Sequence, residues 1–246
     1  HMKYLGDTLE AIAGEKAGIA KPGAPFVIGE TRADIVAVLR ARGAEFVKAL
    51  DASASLDAHV VPPGELWTGE IGLAGPHQRR NAAIAAATLR QLPAPWRPDD
   101  GAIARGVAQA FISGRLDRRG RWLFDVAHNP DGMRSLVAAL AAAPPAGPLH
   151  ALVSILGDTD WPEMLVTLDG AVAKGVLTLA PTAAGRGWNL EWLARWLGDP
   201  ARPPAHAQWT LVPDFDEAVR LAPQGAGTVL VTGSFHTVGD VMSALG

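Results

Sequence analysis

Residues Arg121–Pro130, RWLFDVAHNP, decide the reading of the fold. The run RWLFDV is a short apolar strand, and Asn129-Pro130-Asp131 opens a helix with a cap, an N1 proline and a first-turn acid. At this junction stand a carboxylate, an imidazole and a carboxamide, on Asp125, His128 and Asn129. A crevice outside the carboxyl end of a strand, facing a helix N-terminus, suits phosphate or carboxylate groups. Capping alone also places Asp and Asn at such turns, so the triplet by itself fits either reading.

Toward the carboxyl end the rhythm repeats. The segments LHALVSIL, GVLTLA, QWTLV and TVLVTG read as strands, alternating with the helices WPEMLVTL, LEWLARWL, FDEAVRLA and HTVGDVMSAL. Strands alternating with helices of this size form βαβ units and a parallel sheet covered on both faces. Toward the amino end, residues 5–19 read as a helix capped by Asp7 or Thr8, and PFVIGE as a strand. ADIVAVLRARG reads as a helix stopped by Gly43, and EFVKAL as a further strand. The stretch up to Pro63 is loop or edge structure, LWTGEIGLAG an exposed strand or hairpin, and helices cover residues 78–92 and 99–111. The expected architecture is α/β: part of a central domain over residues 1–113, then a Rossmann-like, mostly parallel sheet domain over residues 114–246.

Composition bounds the function classes. The 246 residues are 48% hydrophobic and 19% charged, a globular balance with material for a sizeable core. The net charge of −3 gives no electrostatic case for nucleic acid or an anionic membrane as partner. With no cysteine there is no disulfide framework, thiolate metal site or thiol nucleophile. No long apolar run or leader layout is present, so a cytoplasmic location is expected.

Four segments, LGDTLEAIAGEKAGI, GPHQRRNAA, DVAHNP and GSFHTV, stand in the order and rough spacing of folylpolyglutamate synthase/dihydrofolate synthase. The chain resembles that family, a branch of the Mur ligase superfamily, over essentially its whole length. The resemblance implies an ATP-dependent amide ligase: a folate or dihydropteroate carboxylate is phosphorylated, and the amine of L-glutamate attacks the acyl phosphate. Metal ions and cationic clamps carry most of such catalysis.

The resemblance also implies roles residue by residue. Lys16 matches the lysine carried as a carbamate to hold magnesium, a conversion of a cation into a hard oxygen ligand; without the family it reads as a solvated helix lysine beside Glu15 and Glu10. Gln78 and Asn81, three apart on one helical face, match amides that contact adenine, whose edge needs a donor and an acceptor. Arg115, in SGRL, matches a guanidinium that reaches the ATP phosphates, whereas Arg118, Arg119 and Arg121 read as solvated charges. Asp125 resembles the residue that holds the ribose hydroxyls, His128 the one near the transferred phosphate, and Asn129 orients their loop. Ser234 and His236 lie in the loop close to where glutamate and acceptor meet, although a Ser at a helix start is commonly a cap.

Two departures qualify the resemblance. In Gly157–Asp160, GDTD, Thr159 stands where the family has a lysine between two acids. No Gly-Lys pair occurs in the sequence, so the family's phosphate-cradling Gly-Lys-Ser/Thr loop is absent from these residues. The chain therefore reads as starting inside the central domain, lacking the amino-terminal phosphate-loop part and inactive alone. His1 stands where the family's magnesium-binding histidine falls, and His-Met is equally a cloning remnant.

Three other readings compete. One is a different Mur-type amino-acid ligase, and another is a non-catalytic module that binds nucleotide or glutamate. The third, an NAD-dependent dehydrogenase, rests on fold analogy, since HNPDG replaces the expected G-x-G-x-x-G.

Overall fold

In the computed structural model, residues 8–199, 201 and 206–246 are described. The chain divides into two compact units: residues up to Gly72 with His77–Ala110, and Leu73–Pro76 with Phe111–Gly246.

In the first unit, Thr8 caps helix α1 (Leu9–Lys16), its hydroxyl accepting from the Ala11 N–H at 3.1 Å, and a 3-10 turn, Ala17–Ile19, follows. The expected helix is thus shorter within the described residues, and Asp7 lies outside them. Strand β1 (Phe26–Ile28) pairs in parallel with β2 (Ala58–Val60). Between them α2 (Ala33–Leu50) runs unbroken through Gly43, so neither the helix stop nor the strand EFVKAL is present. The reason is packing. Ile35, Leu39, Gly43 and Val47 recur every four residues, on one helical face. A Cβ at Gly43 would lie 3.3 Å from both Leu56 and Phe26, so this glycine is a contact point inside a helix.

Helices α3 (His77–Arg90) and α4 (Asp100–Gln109) complete this unit, the second capped by Asp99. LWTGEIGLAG forms no strand. Its carbonyls are instead taken by an arginine: Arg79 Nη1 donates to Trp67 O at 2.8 Å and Gly69 O at 3.1 Å.

The second unit is a six-stranded sheet in the order β3-β4-β8-β5-β6-β7. Its strands are β3 (Asp117–Arg119), β4 (Trp122–Phe124), β5 (Leu149–Val153), β6 (Lys174–Leu177), β7 (Gln208–Leu211) and β8 (Thr228–Thr232). All neighbours are parallel except β3, an edge hairpin strand antiparallel to β4 that sequence reasoning missed. Among the described residues its α-helices are α5 (Pro130–Ala142), α6 (Trp161–Asp169), α7 (Leu190–Gly198), α8 (Phe215–Leu221) and α9 (Phe235–Leu245), with a 3-10 turn at Pro181–Ala183.

The two faces have separate cores. Met133, Leu136, Met164, Leu165 and Leu193 pack α5, α6 and α7 on one side of the sheet. Ala218, Val238 and Val241 pack α8 and α9 on the other, against Phe124, Leu152, Val229 and Val231. Strand β8 is buried along its whole length, so its residues serve both cores alternately.

Gly233 ends β8 at φ 110°, where a Cβ would fall 2.6 Å from Ser154 O. Gly233→Ala therefore combines left-handed backbone strain with a backbone clash. It should lower unfolding free energy by about 2–4 kcal/mol in urea denaturation, and a loss below about 0.5 kcal/mol would show that the turn relaxes freely.

Candidate functional site

Chain topology places the candidate residues of the second unit. Strand β4 feeds α5 on one face of the sheet, while its neighbour β8 feeds α9 on the other. Adjacent strands whose connections leave to opposite faces open a crevice at their carboxyl ends, the usual ligand position in doubly wound sheets. The segments Asp125–Asn129 and Gly233–His236 occupy those two ends.

Asp125 is buried, and both its oxygens work. Oδ2 accepts from the Leu116 N–H and Oδ1 from the Ala127 N–H, each at 3.0 Å. The carboxylate thereby ties the turn holding Arg115 to the end of β4. Leu116 has φ 47°, an uncommon conformation for a branched side chain, and its bond to Asp125 holds it there.

His128 is half-buried, with Nδ1 3.1 Å from Val126 O. A carbonyl only accepts, so this bond puts a proton on Nδ1. Nε2 faces the Asn129 Nδ2 at 3.4 Å, and the ring lies 5.2 Å from the Phe235 ring. Asn129 also caps α5, its Oδ1 accepting from the Gly132 N–H at 2.8 Å. One carboxamide thus starts the helix and faces the imidazole.

Ser234 is buried and caps α9. Thr237 Oγ1 gives its proton to Ser154 O at 2.6 Å, so Ser234 Oγ donates to Thr237 Oγ1 at 2.7 Å and accepts the Thr237 N–H at 3.1 Å. This hydroxyl is committed to the cap. His236 Nδ1 meets Thr182 Oγ1 at 2.9 Å, and Asp240 accepts from the Thr182 N–H at 3.0 Å. Arg115 is half-buried on its turn, and its side chain makes no hydrogen bond or ion pair with the described residues.

The other arginines of this region are not simply solvated. Arg119 pairs with the buried Asp117 at 3.0 Å and lies over the Phe124 ring, while Arg121 donates to Gly225 O at 2.6 Å. Burial pushes the Asp117 carboxyl up, but the Arg119 guanidinium and the Gly114 N–H outweigh that and hold it below its ordinary 3.8. In the GDTD segment the two acids are structural: Asp158 pairs with Arg186 at 2.9 Å and Asp160 caps α6. Thr159 closes the turn onto Leu156 O at 2.7 Å.

In the first unit, Gln78 is buried at the start of α3 and its Oε1 accepts from Asn81 Nδ2 at 3.0 Å. Asn81 itself is exposed, and Lys16 is exposed in the last turn of α1. His1 lies outside the described residues. No group of three or more His, Asp or Glu side chains able to hold a metal stands together among the described residues. No helix among them is long and apolar enough to cross a membrane.

Sequence reasoning missed Arg80. Its guanidinium donates to Pro62 O at 2.6 Å, Val61 O at 2.9 Å, Gly29 O at 3.0 Å and Glu65 O at 3.1 Å. It clamps the ends of β1 and β2 onto the helix that carries Gln78 and Asn81. Two adjacent arginines at the start of an alanine-rich helix were the available signal.

Comparison with known proteins adds the following. Residues 113–235 match the Mur ligase family's glutamate ligase domain. The whole chain is 33% identical to the dihydrofolate synthase/folylpolyglutamate synthase of Escherichia coli and spans 57% of that relative's length. It superposes with a TM-score of 0.74 and 29% identity on an E. coli structure in complex with DHPP and ADP, covering 100% of this chain and 58% of that one. It superposes at 0.72 and 31% identity on a bifunctional folylpolyglutamate synthase/dihydrofolate synthase with Mn, AMPPNP and L-glutamate bound, covering 98% and 58% respectively.

The lowered Asp117 sets an acid dependence. Its bonds to Arg119, Ser113 and Gly114 contribute fully above its unfolded value near 3.8 and are lost as pH falls through the lower folded value. Asp117→Asn should cost about 1–3 kcal/mol near neutrality and flatten the acid limb of a stability–pH curve. An unchanged acid limb would show that other carboxylates set it.

Proposed function

The chain belongs to the Mur ligase family, and from that premise we propose that it forms the nucleotide- and glutamate-handling part of an ATP-dependent folate ligase. In this reading the acceptor carboxylate of a folate or dihydropteroate attacks the terminal phosphorus of ATP, and ADP leaves. The amine of L-glutamate then attacks the acyl carbon of the acyl phosphate, phosphate leaves, and the new amide nitrogen gives up a proton. The observation that carries the reading is the placement of Asp125–Asn129 and Gly233–His236 at the carboxyl ends of β4 and β8, within a match that extends over the whole chain.

The residues fit such roles unequally. Arg115, its guanidinium without a partner among the described residues, suits a phosphate oxygen, which a planar fork can grip with two donors. Asp125, a buried carboxylate at the carboxyl end of β4, is an acceptor of the type that ribose hydroxyls require. His128 in the Nδ1–H form presents Nε2 beside Asn129, near the exposed Phe235 ring. Gln78 and Asn81 supply an amide pair for the adenine edge. His236 remains the better candidate of its loop for glutamate or the acceptor, because the Ser234 hydroxyl is occupied.

A bound divalent cation would neutralise phosphate charge as it moves. Among the described residues only Lys16 is offered as its holder. As a carbamate, Lys16 would put negative charge at the negative end of α1, a repulsion that a bound cation would offset. These 246 residues contain no Gly-Lys-Ser/Thr loop, which favours a second reading for them taken alone: nucleotide or glutamate binding without turnover.

The test is ADP release dependent on both L-glutamate and a folate acceptor, assayed on the 246 residues and on the complete product of the gene. Turnover is expected from the complete product only. There, Arg115→Ala and His128→Ala should each lower kcat about a hundredfold, the scale of losing one charge-stabilising contact. Absence of glutamate-dependent turnover in the complete product would overturn the folate reading; robust turnover by the 246 residues would overturn their dependence on a phosphate loop elsewhere.

A further inference from the structure

The amino-terminal end of the second unit's sheet carries a feature the ligase chemistry does not use. Strands buried on both faces of a parallel sheet normally show continuous apolar runs. Here His150, Lys174 and Gln208 stand in register across β5, β6 and β7, forming a polar row one residue wide. Leu152, Val176 and Thr210 form the next row on the same face, two residues further along each strand. The polar row, together with Val176 and Thr210 of the next row and Leu221, Ala222 and Gln224, lines a cavity of about 180 Å³. Gln208 and Thr210 on edge strand β7 are exposed, so the cavity has an entrance from solvent.

The row's bonding is incomplete. Lys174 Nζ donates to Gln224 O at 2.7 Å, and Arg121 donates to Gly225 O, strapping the loop after α8 over the sheet end. That structural duty accounts for one donor of each cation. It does not account for His150, which is 5% exposed and whose buried Nδ1 has no hydrogen-bond partner among the described residues. A buried ring nitrogen left unsatisfied costs about 1–3 kcal/mol, so the position calls for a bound group. Lys174 keeps two ammonium protons beyond its bond to Gln224, and no carboxylate among the described residues lines the cavity.

We propose that this cavity is a binding site for a small oxyanion of the phosphate or carboxylate class, held by Lys174, His150 and the Gln208 amide. Its size is below that of pockets for drug-sized ligands. It lies at the opposite end of the strands from Asp125–Asn129 and Gly233–His236, so it is a second site and independent of the ligase reading. Burial and the positive charges of Lys174 and Arg121 push the His150 imidazole below its ordinary 6.5. An anion seated beside it would move it back up, which makes His150 its own reporter.

The experiment follows the His150 ring resonances by NMR in the 246-residue chain during separate titrations with inorganic phosphate and with L-glutamate, against sodium chloride at matched ionic strength. The expected result is a saturable shift toward the protonated ring with at least one of the two, and not with chloride. Lys174→Gln should weaken that binding about tenfold, the value of one charge-assisted hydrogen bond. His150→Gln, which keeps a donor and an acceptor, should retain a phosphate- or glutamate-induced shift at the Gln208 amide. Saturation by phosphate alone or glutamate alone assigns the anion. No saturable shift with either, or equal binding by wild type and Lys174→Gln, would overturn the proposal.

Discussion

The architecture of the second unit depends on inserting β8 between β4 and β5. The last of the six strands in chain order lies in the middle of the sheet, hydrogen-bonded on both edges and buried on both faces. Without it β4 and β5 are not neighbours, the two cores lose their shared wall, and no crevice forms between a strand feeding one face and a strand feeding the other. The polar ends of β4 and β8 stand side by side only because those strands are adjacent. Their candidate site residues are separated by about a hundred residues of sequence and brought together by backbone pairing alone.

Much of this was legible beforehand. The alternation from Arg121 onward marks each described parallel strand and α-helix of the second unit, though not the 3-10 turn Pro181–Ala183, because strands buried on both faces and helices with apolar stripes leave strong, different periods. The errors lay where local chemistry was overridden by contacts from outside the segment. Gly43 looked like a helix stop, but its lack of a side chain is used for close packing against Phe26 and Leu56. EFVKAL has strand-like composition, yet Val47 continues the helical row of Ile35 and Leu39. LWTGEIGLAG alternates, but it is organised by arginine donors from α3, which no period reveals.

The site was legible by residue type and less so by use. Asp125, His128 and Asn129 lie at the strand-to-helix junction; the carboxylate ties down backbone N–H groups of Leu116 and Ala127, and the carboxamide faces the imidazole. Ser234 shows the opposite case: a plausible polar ligand whose hydroxyl is taken up by its own helix. Composition could not distinguish these, since a cap and a ligand use the same oxygen. The row of His150, Lys174 and Gln208 was invisible for another reason: it exists only in the register of three strands.

The clamp made by Arg80 has an evolutionary consequence. Four carbonyls from two loops converge on one planar guanidinium, at distances between 2.6 and 3.1 Å. An ammonium has three donors arranged around a point and could not serve that fan of acceptors. The two loops therefore share one codon's fate. Drift in either backbone is tolerated only while its carbonyl stays within reach of that fork, and a lysine in its place has too few donors to hold all four carbonyls.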